Sequence, residues 1–157
     1  MLIFDITATN KTNIWLRQNN INLNALKYAL TLLYADISPC STVKKRKLVL
    51  QVDNNDSSGY VFGTDKIYLC SKPYIDRAPL KQKKFIIFLH FLHEFRHWMQ
   101  SRVLGVKDYQ LQYTHEDMQA NNKKYRNDKF EIDASKFEKK YVRKFSRYYK
   151  EYLISYR

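Results

Sequence analysis

Glycine, proline and cysteine are scarce in this chain of 157 residues, which contains three, three and two of them respectively. No Pro/Gly/Ser-rich linker, internal repeat or low-complexity block divides the sequence, and this length suffices for a single hydrophobic core. We therefore predict one domain over residues 1–157. Cys40 and Cys70 form no CxxC pair, so we expect two free thiols and neither a disulfide nor a cysteine-based zinc site.

Long apolar runs are also missing. No stretch reaches the roughly 20 residues that a membrane-spanning helix needs. The first residues, MLIFDITATNKTN, lack the basic region of a signal peptide. We therefore expect a cytoplasmic protein without a membrane segment. The hydrophobic content of 45%, with 13 Tyr and 9 Phe, excludes a disordered chain and supplies material for a core.

Acidic residues are few, with 15 Asp and Glu against 28 Lys and Arg and a net charge of +13. Basic residues concentrate in KKRK (44–47) and after Lys136, where eight Lys or Arg accompany only Glu138 and Glu151. Such a balance favours polyanions, and nucleic acid is the partner it indicates. A solvated charged surface, or the Lys/Asn bias of an AT-rich genome, would account for the same charge.

Hydrophobic periodicity predicts an α+β chain in the order helix, small sheet, long helix, loop, helix. MLIFDI suggests a short strand, 21–37 a helix capped by Asn20 or Asn22, and 47–71 several strands around the turn DNNDSSG. A long helix is expected from about 80 to 103, ending near Gly105, and a final helix from about 128 to 156. The segment 109–127 is ambiguous, a loop with a helical turn. The final helix should bury Ile132, Phe137, Val142, Phe145, Tyr149 and Leu153.

HEFRH, at positions 93–97, is an HExxH motif inside the predicted long helix. His93 and His97 are four positions apart, so they project from one face and can hold one zinc ion. Glu94 can then take a proton from a zinc-bound water, whose pKa the metal lowers to roughly 7, and return it to the leaving amine. The alternative is a helix whose histidines merely bond to core partners.

A catalytic zinc needs a third protein ligand. The metzincin pattern HExxHxxGxxH is excluded, because Gln100 and Val103 stand where its Gly and last His are required. Glu131 can point back at the metal from the first turn of the final helix, and His115 is a second candidate. His90 shares a face with the motif, but three ligands on one straight helix span too far for one ion. We therefore assign His90 to the core or to a position behind a ligand.

The motif, followed 34 residues after His97 by EIDASKF (131–137), resembles the gluzincin arrangement HExxH…ExxA. It is most similar to minimal intracellular gluzincins of the ImmA/IrrE kind, whose later helix contains ExxA[ND]xF. Glu131, Ala134 and Phe137 match this pattern, whereas Ser135 stands where Asn or Asp is usual. Arg96 also replaces the small residue that commonly precedes the second His. The resemblance covers about residues 83–143.

This resemblance implies a zincin-like fold, in which a small mixed β-sheet packs on the HExxH helix and a further C-terminal helix follows. It also implies an edge strand, here 65–70, that pairs with an extended peptide substrate. The implied activity is zinc-dependent peptide hydrolysis, with His93, His97 and Glu131 as ligands and Glu94 as general base.

A second resemblance is to SprT-like proteases, which are basic, use a third histidine and act on DNA-bound proteins. His115, 18 residues after His97, suits that role, although Glu116 stands where a Gly is usual. A third hypothesis is a structural or accessory protein of a phage or mobile element that keeps the metal site for one partner.

Several polar residues have weaker roles in these hypotheses. Tyr109, Tyr113 or Tyr125 could stabilise an oxyanion. Asp128 or Asp133 could orient a zinc-bound imidazole, with helix capping or solvation as the alternative. Trp98 and Met99 should pack against the sheet.

Overall fold

The computed structural model describes residues 4–38, 45–53, 57–71, 78–105, 107–108 and 128–156. Within these ranges the chain is α+β, as predicted, with four helices and one four-stranded mixed sheet. The elements are β1 (Phe4–Ala8), α1 (Asn10–Gln18), α2 (Leu23–Ile37), β2 (Arg46–Asp53), β3 (Gly59–Tyr60), β4 (Lys66–Cys70), α3 (Leu80–Leu104) and α4 (Lys129–Ser155). None of the described helices is both long and apolar enough to cross a membrane.

The sheet has the order β1-β2-β4-β3, in which β1, β2 and β4 are parallel and β3 is antiparallel to β4. Alternate side chains on the three parallel strands are buried, which is the period of a strand with one face on a core. The buried residues of this face are Phe4, Ile6, Leu48, Leu50, Val52, Ile67 and Leu69.

The prediction that 65–70 forms the edge strand was wrong. Tyr68 of β4 pairs with Gln51 on one side and with Gly59 on the other, so β4 has a neighbour on both sides. The chain doubles back between β3 and β4, where Val61 N–H donates to Lys66 O at 3.0 Å. The two-residue β3 is therefore the edge beyond β4.

The sequence did not predict α1, although the other three helices begin and end close to the expected positions. Only Thr12 and Leu16 of α1 are buried, so its apolar period is too weak to recognise. Thr9 caps it by accepting from Thr12 N at 3.2 Å. Asn22 caps α2 as predicted, since its Oδ1 accepts from the backbone N–H groups of Asn24 and Ala25.

The long helix α3 lies between the sheet and α4. Its Phe95 and Trp98 rings meet Phe4 of β1 at centroid distances of 5.5 and 5.8 Å, and Phe88 meets Phe145 of α4 at 5.1 Å. Trp98 thus packs on the sheet as expected, and Met99 is partly buried against the same core. Because α3 is covered on both sides, its polar side chains must find partners on its neighbours.

The helix α3 ends at Gly105, as predicted, where φ is 81°. A side chain rarely adopts this left-handed φ, which explains the glycine at that position. Cys70 is buried, as expected. Cys40, three residues of the turn (54–56) and the segment 109–127 lie outside the described residues.

Four of the six predicted core positions of α4 are buried, namely Phe137, Val142, Phe145 and Tyr149. Leu153 is partly buried against the core. Ile132 was predicted wrongly, since 38% of it is exposed. At 100° per residue it lies on the side of the helix that also contains Lys136 and Arg143, away from α3.

Candidate metal centre

The side chains of His93, His97 and Glu131 meet where α3 packs against the first turn of α4. Glu131 Oε2 lies 3.1 Å from His93 Nε2, and Glu131 Oε1 lies 3.2 Å from His97 Nε2. The two Nε2 atoms are themselves 3.1 Å apart. One ligand atom from each residue falls within 4.8 Å of the others, so the three residues are close enough to bind one metal ion.

The N-terminus of α4 positions Glu131. Asp128 caps the helix by accepting from Phe130 N at 2.7 Å and from Glu131 N at 3.1 Å. Asp128 is thus a cap, the alternative that the sequence left open for it. The fixed first turn directs the buried carboxylate of Glu131 towards α3, and a negative charge is favourable at this end of a helix.

A second carboxylate on α4 fixes the ring of His93. Glu138 Oε2 lies 3.0 Å from His93 Nδ1. Glu138 follows Glu131 by seven residues, two helical turns, so both point to the same side of α4. A carboxylate accepts at this distance, so Nδ1 of His93 bears a hydrogen, and Nε2, on the other side of the ring, is the atom that could bind a metal.

An amide fixes the ring of His97 in the same way. Gln100 Nε2 donates to Phe130 O at 3.1 Å and to Asp133 Oδ2 at 2.7 Å. These two acceptors orient the amide so that Gln100 Oε1 faces His97 Nδ1 at 2.9 Å. His97 therefore also bears its hydrogen on Nδ1 and has a lone pair on Nε2. Arg96 Nε donates to the same Asp133 Oδ2, also at 2.7 Å.

With each Nδ1 hydrogen held by its acceptor, the two Nε2 atoms and the Glu131 carboxylate converge. A cation, either a metal ion or a proton, satisfies such a cluster. Two ligand atoms about 2.0–2.1 Å from a tetrahedral zinc would lie about 3.3–3.4 Å apart. The observed separations of 3.1 and 3.2 Å are within a few tenths of an ångström of this value, so the residues fit the ion.

The acid-base properties of the site agree with this arrangement. Burial alone would lower the pKa of His93, but hydrogen bonds to Glu131 and Glu138 outweigh it and raise the pKa to about 10. In the absence of a metal, a proton is the cation that these acceptors share. Burial raises the pKa of Glu94 to about 7, against the opposing charges of His97 and His93.

His90, the third histidine of α3, is not part of the cluster. Its Nδ1 lies 3.1 Å from Ser58 Oγ, and Ser58 Oγ accepts from Cys70 N at 2.9 Å. Burial lowers the pKa of His90. The histidine thus lies beside the β3–β4 end of the sheet, in agreement with its assignment away from the metal.

The sequence identified the three clustered residues and missed the two that orient the imidazoles. Glu138 and Gln100 were not considered, although each has a local signal. Gln100 follows His97 by three residues and Glu138 follows Glu131 by seven, so each shares a helix face with a candidate ligand. Asp133 does not touch an imidazole but accepts from Gln100, the residue that orients His97. His115, Tyr109, Tyr113 and Tyr125 lie outside the described residues.

No protein-family model, curated protein or solved structure gives a significant match to this chain.

Proposed function

We propose that the protein is a zinc-dependent metallopeptidase with a zincin-like active site. His93, His97 and Glu131 hold the metal, and Glu94 is the general base. The convergence of two imidazole nitrogens and one carboxylate beside a buried glutamate is the observation on which this proposal rests. Two nitrogens and a carboxylate oxygen form a donor set that zinc accepts in hydrolytic sites while retaining an open position.

When bound, zinc supplies a Lewis acid that makes water nucleophilic near neutral pH. Glu94 lies next to His93 in the chain, and only 7% of it is exposed. In this role the Glu94 carboxylate accepts a proton from water and returns it to the leaving amine. Glu138 and Gln100 keep the imidazoles in the tautomer that a metal requires.

The third ligand is tested by zinc stoichiometry, measured by elemental mass spectrometry on purified variants. We expect about one zinc per chain in the wild type, and loss of it in His97→Ala and in Glu131→Ala. His90→Ala is the matched control, a histidine of the same helix outside the cluster, and it should keep the metal. If zinc is lost in His115→Ala and kept in Glu131→Ala, the third zinc ligand is His115 and not Glu131, as in the SprT-like arrangement.

Catalysis is tested with Glu94→Gln and a peptide library prepared from a digested proteome, whose cleavage is followed by mass spectrometry. We expect Glu94→Gln to keep its zinc and to lose cleavage by about 10²–10⁴-fold, because only the proton acceptor is removed. Glu151→Gln, the same substitution at an exposed site, should cleave as the wild type does. If the zinc-loaded wild type cleaves no peptide of the library, the proposal of peptidase activity is contradicted.

A further inference from the structure

The exposed side of α4 is basic along its length. Every exposed residue between 136 and 150 is Lys or Arg. We call these six residues the basic row: Lys136, Lys139, Lys140, Arg143, Arg147 and Lys150. At 100° and 1.5 Å per residue they fall within an arc of about 100° and span about 21 Å.

Little negative charge compensates the basic row. Within the described ranges its one ion pair is that of Arg147 with Glu151, at 3.6 Å. Lys144, beside the row, is the residue that pairs with Asp36, at 2.7 Å. On α3, burial and then the charge of Lys150 lower the pKa of Lys84. The cations of this surface therefore repel one another, and an external polyanion would relieve that repulsion.

The chemistry of the row indicates what kind of polyanion fits. A helix that lies in a membrane surface inserts an apolar face, but the apolar face of α4 is buried in the core through Phe137, Phe145 and Tyr149. Single-stranded nucleic acid is bound through aromatic side chains on which bases stack, and no aromatic residue is exposed between 136 and 150. The row offers charge without apolar or aromatic contacts, and charge alone is sufficient for the dense phosphates of a duplex, one per about 1.7 Å of its axis.

We propose that the basic row of α4 binds the backbone of double-stranded nucleic acid without reading its sequence. Glu131 and Glu138 lie about half a turn around α4 from the row, because they face α3. The duplex therefore lies on the side of α4 away from the metal centre and does not cover it. Binding to the duplex does not depend on the peptidase proposal, and either can fail alone.

The test is the salt dependence of binding to a mixed-sequence DNA duplex of about 20 bp, followed by fluorescence anisotropy between about 50 and 200 mM salt. Six phosphate contacts predict a slope of log K against log salt of about −5. The row variant has Lys136, Lys140, Arg143 and Arg147 all replaced by Gln, and its slope should become shallower by about 3 to 4.

The matched control replaces Lys11, Arg17, Lys45 and Lys66 by Gln, four exposed basic residues outside α4. It has the same net charge as the row variant and should keep the wild-type slope. Circular dichroism of both variants checks that they fold. Equal losses in the two variants would overturn the assignment to α4. Tighter binding to a single strand of the same length, or binding to anionic vesicles in place of the duplex, would overturn the assignment to duplex nucleic acid.

Discussion

At the scale of single residues, the centre depends on two side chains that would not touch a metal. Glu138 and Gln100 lie behind the two imidazoles, at 3.0 and 2.9 Å from the Nδ1 atoms of His93 and His97. Each accepts at Nδ1 and fixes a ring orientation, so that the two Nε2 atoms face each other across the centre, 3.1 Å apart. Such partners contribute to affinity without contributing a bond to the metal.

We expect Glu138→Gln to weaken zinc affinity by about 10–100-fold, because an amide orients the imidazole of His93 without the negative charge that raises its basicity. Competition against a chromophoric chelator measures the change. The same substitution at Glu151, on the same helix and away from the centre, serves as control. Equal affinities in the two variants would show that Glu138 has no part in metal binding.

The exposure of Ile132 shows how far residue-level prediction extends. Sequence periodicity placed it in the core with Phe137 and Phe145. The neighbouring basic residues at 136, 139 and 140 already mark its side of the helix as solvated, and at 100° per residue it belongs with them. Charged residues along one side of a helix indicate that this side is exposed, and a single apolar residue among them does not outweigh that indication.

At the scale of elements, α4 is the helix that joins the parts of the molecule. Besides facing α3, it contacts the connection between α1 and α2 through Tyr149. The Tyr149 hydroxyl accepts from Asn22 N at 2.7 Å and donates to Asn20 O at 3.4 Å. One phenol thus satisfies backbone groups on both sides of the turn that precedes α2.

We expect Tyr149→Phe to lower the free energy of unfolding by about 1–2 kcal/mol at neutral pH, because Asn22 N–H loses its acceptor. Urea denaturation followed by circular dichroism measures this. Tyr141→Phe, a half-buried tyrosine of the same helix, is the control. A Tyr149 variant as stable as the wild type would show that water replaces the hydroxyl without loss.

Tyr149 also predicts that the protein loses stability at alkaline pH. Burial raises the pKa of Tyr149 above its ordinary 10.0, with the Asn22 N–H opposing the shift. As pH rises, the unfolded chain therefore loses the Tyr149 proton before the folded chain does. The contribution of Tyr149 to the free energy of unfolding is complete below pH 10 and is lost as the pH rises through the folded pKa. Above pH 10 the wild type should lose stability more steeply than Tyr149→Phe, and parallel curves would contradict this.

At the scale of the whole molecule, the hydrophobic core does not depend on a metal. It unites the sheet, α2, α3 and α4 through apolar side chains such as Phe4, Leu30, Phe95 and Phe145, all of them buried. The metal centre adds one junction between α3 and α4. We therefore expect a chelator to leave the protein folded, unlike a zinc finger, whose folding requires its ion.

Zinc should nevertheless stabilise the fold by mass action. At a free zinc concentration about 100 times the dissociation constant, the free energy of unfolding should rise by about 2.7 kcal/mol. The measurement is the urea midpoint with zinc and with chelator. His97→Ala should show no difference between the two conditions, and His90→Ala should keep the full difference. If the urea midpoint of the wild type is the same with zinc and with chelator, the folded chain does not contain the zinc site that we propose.

Local pattern was sufficient for the HExxH pair, for the caps Asn22 and Asp128 and for most helix bounds, because these depend on residues within about one turn of one another. The i, i+4 spacing of His93 and His97 determines one shared face whatever the rest of the chain does. The α+β class followed from the same periodicities.

Only tertiary structure decided which groups complete the centre and which strand forms the sheet edge. Glu131 and Glu138 reach His93, and the acceptors of Gln100 reach that amide, because α3 and α4 pack together. That packing depends on apolar contacts such as Phe88 with Phe145. The order β1-β2-β4-β3 likewise arises from pairing between distant segments. Such pairings depend on burial and hydrogen bonding between residues far apart in sequence, which no local period encodes.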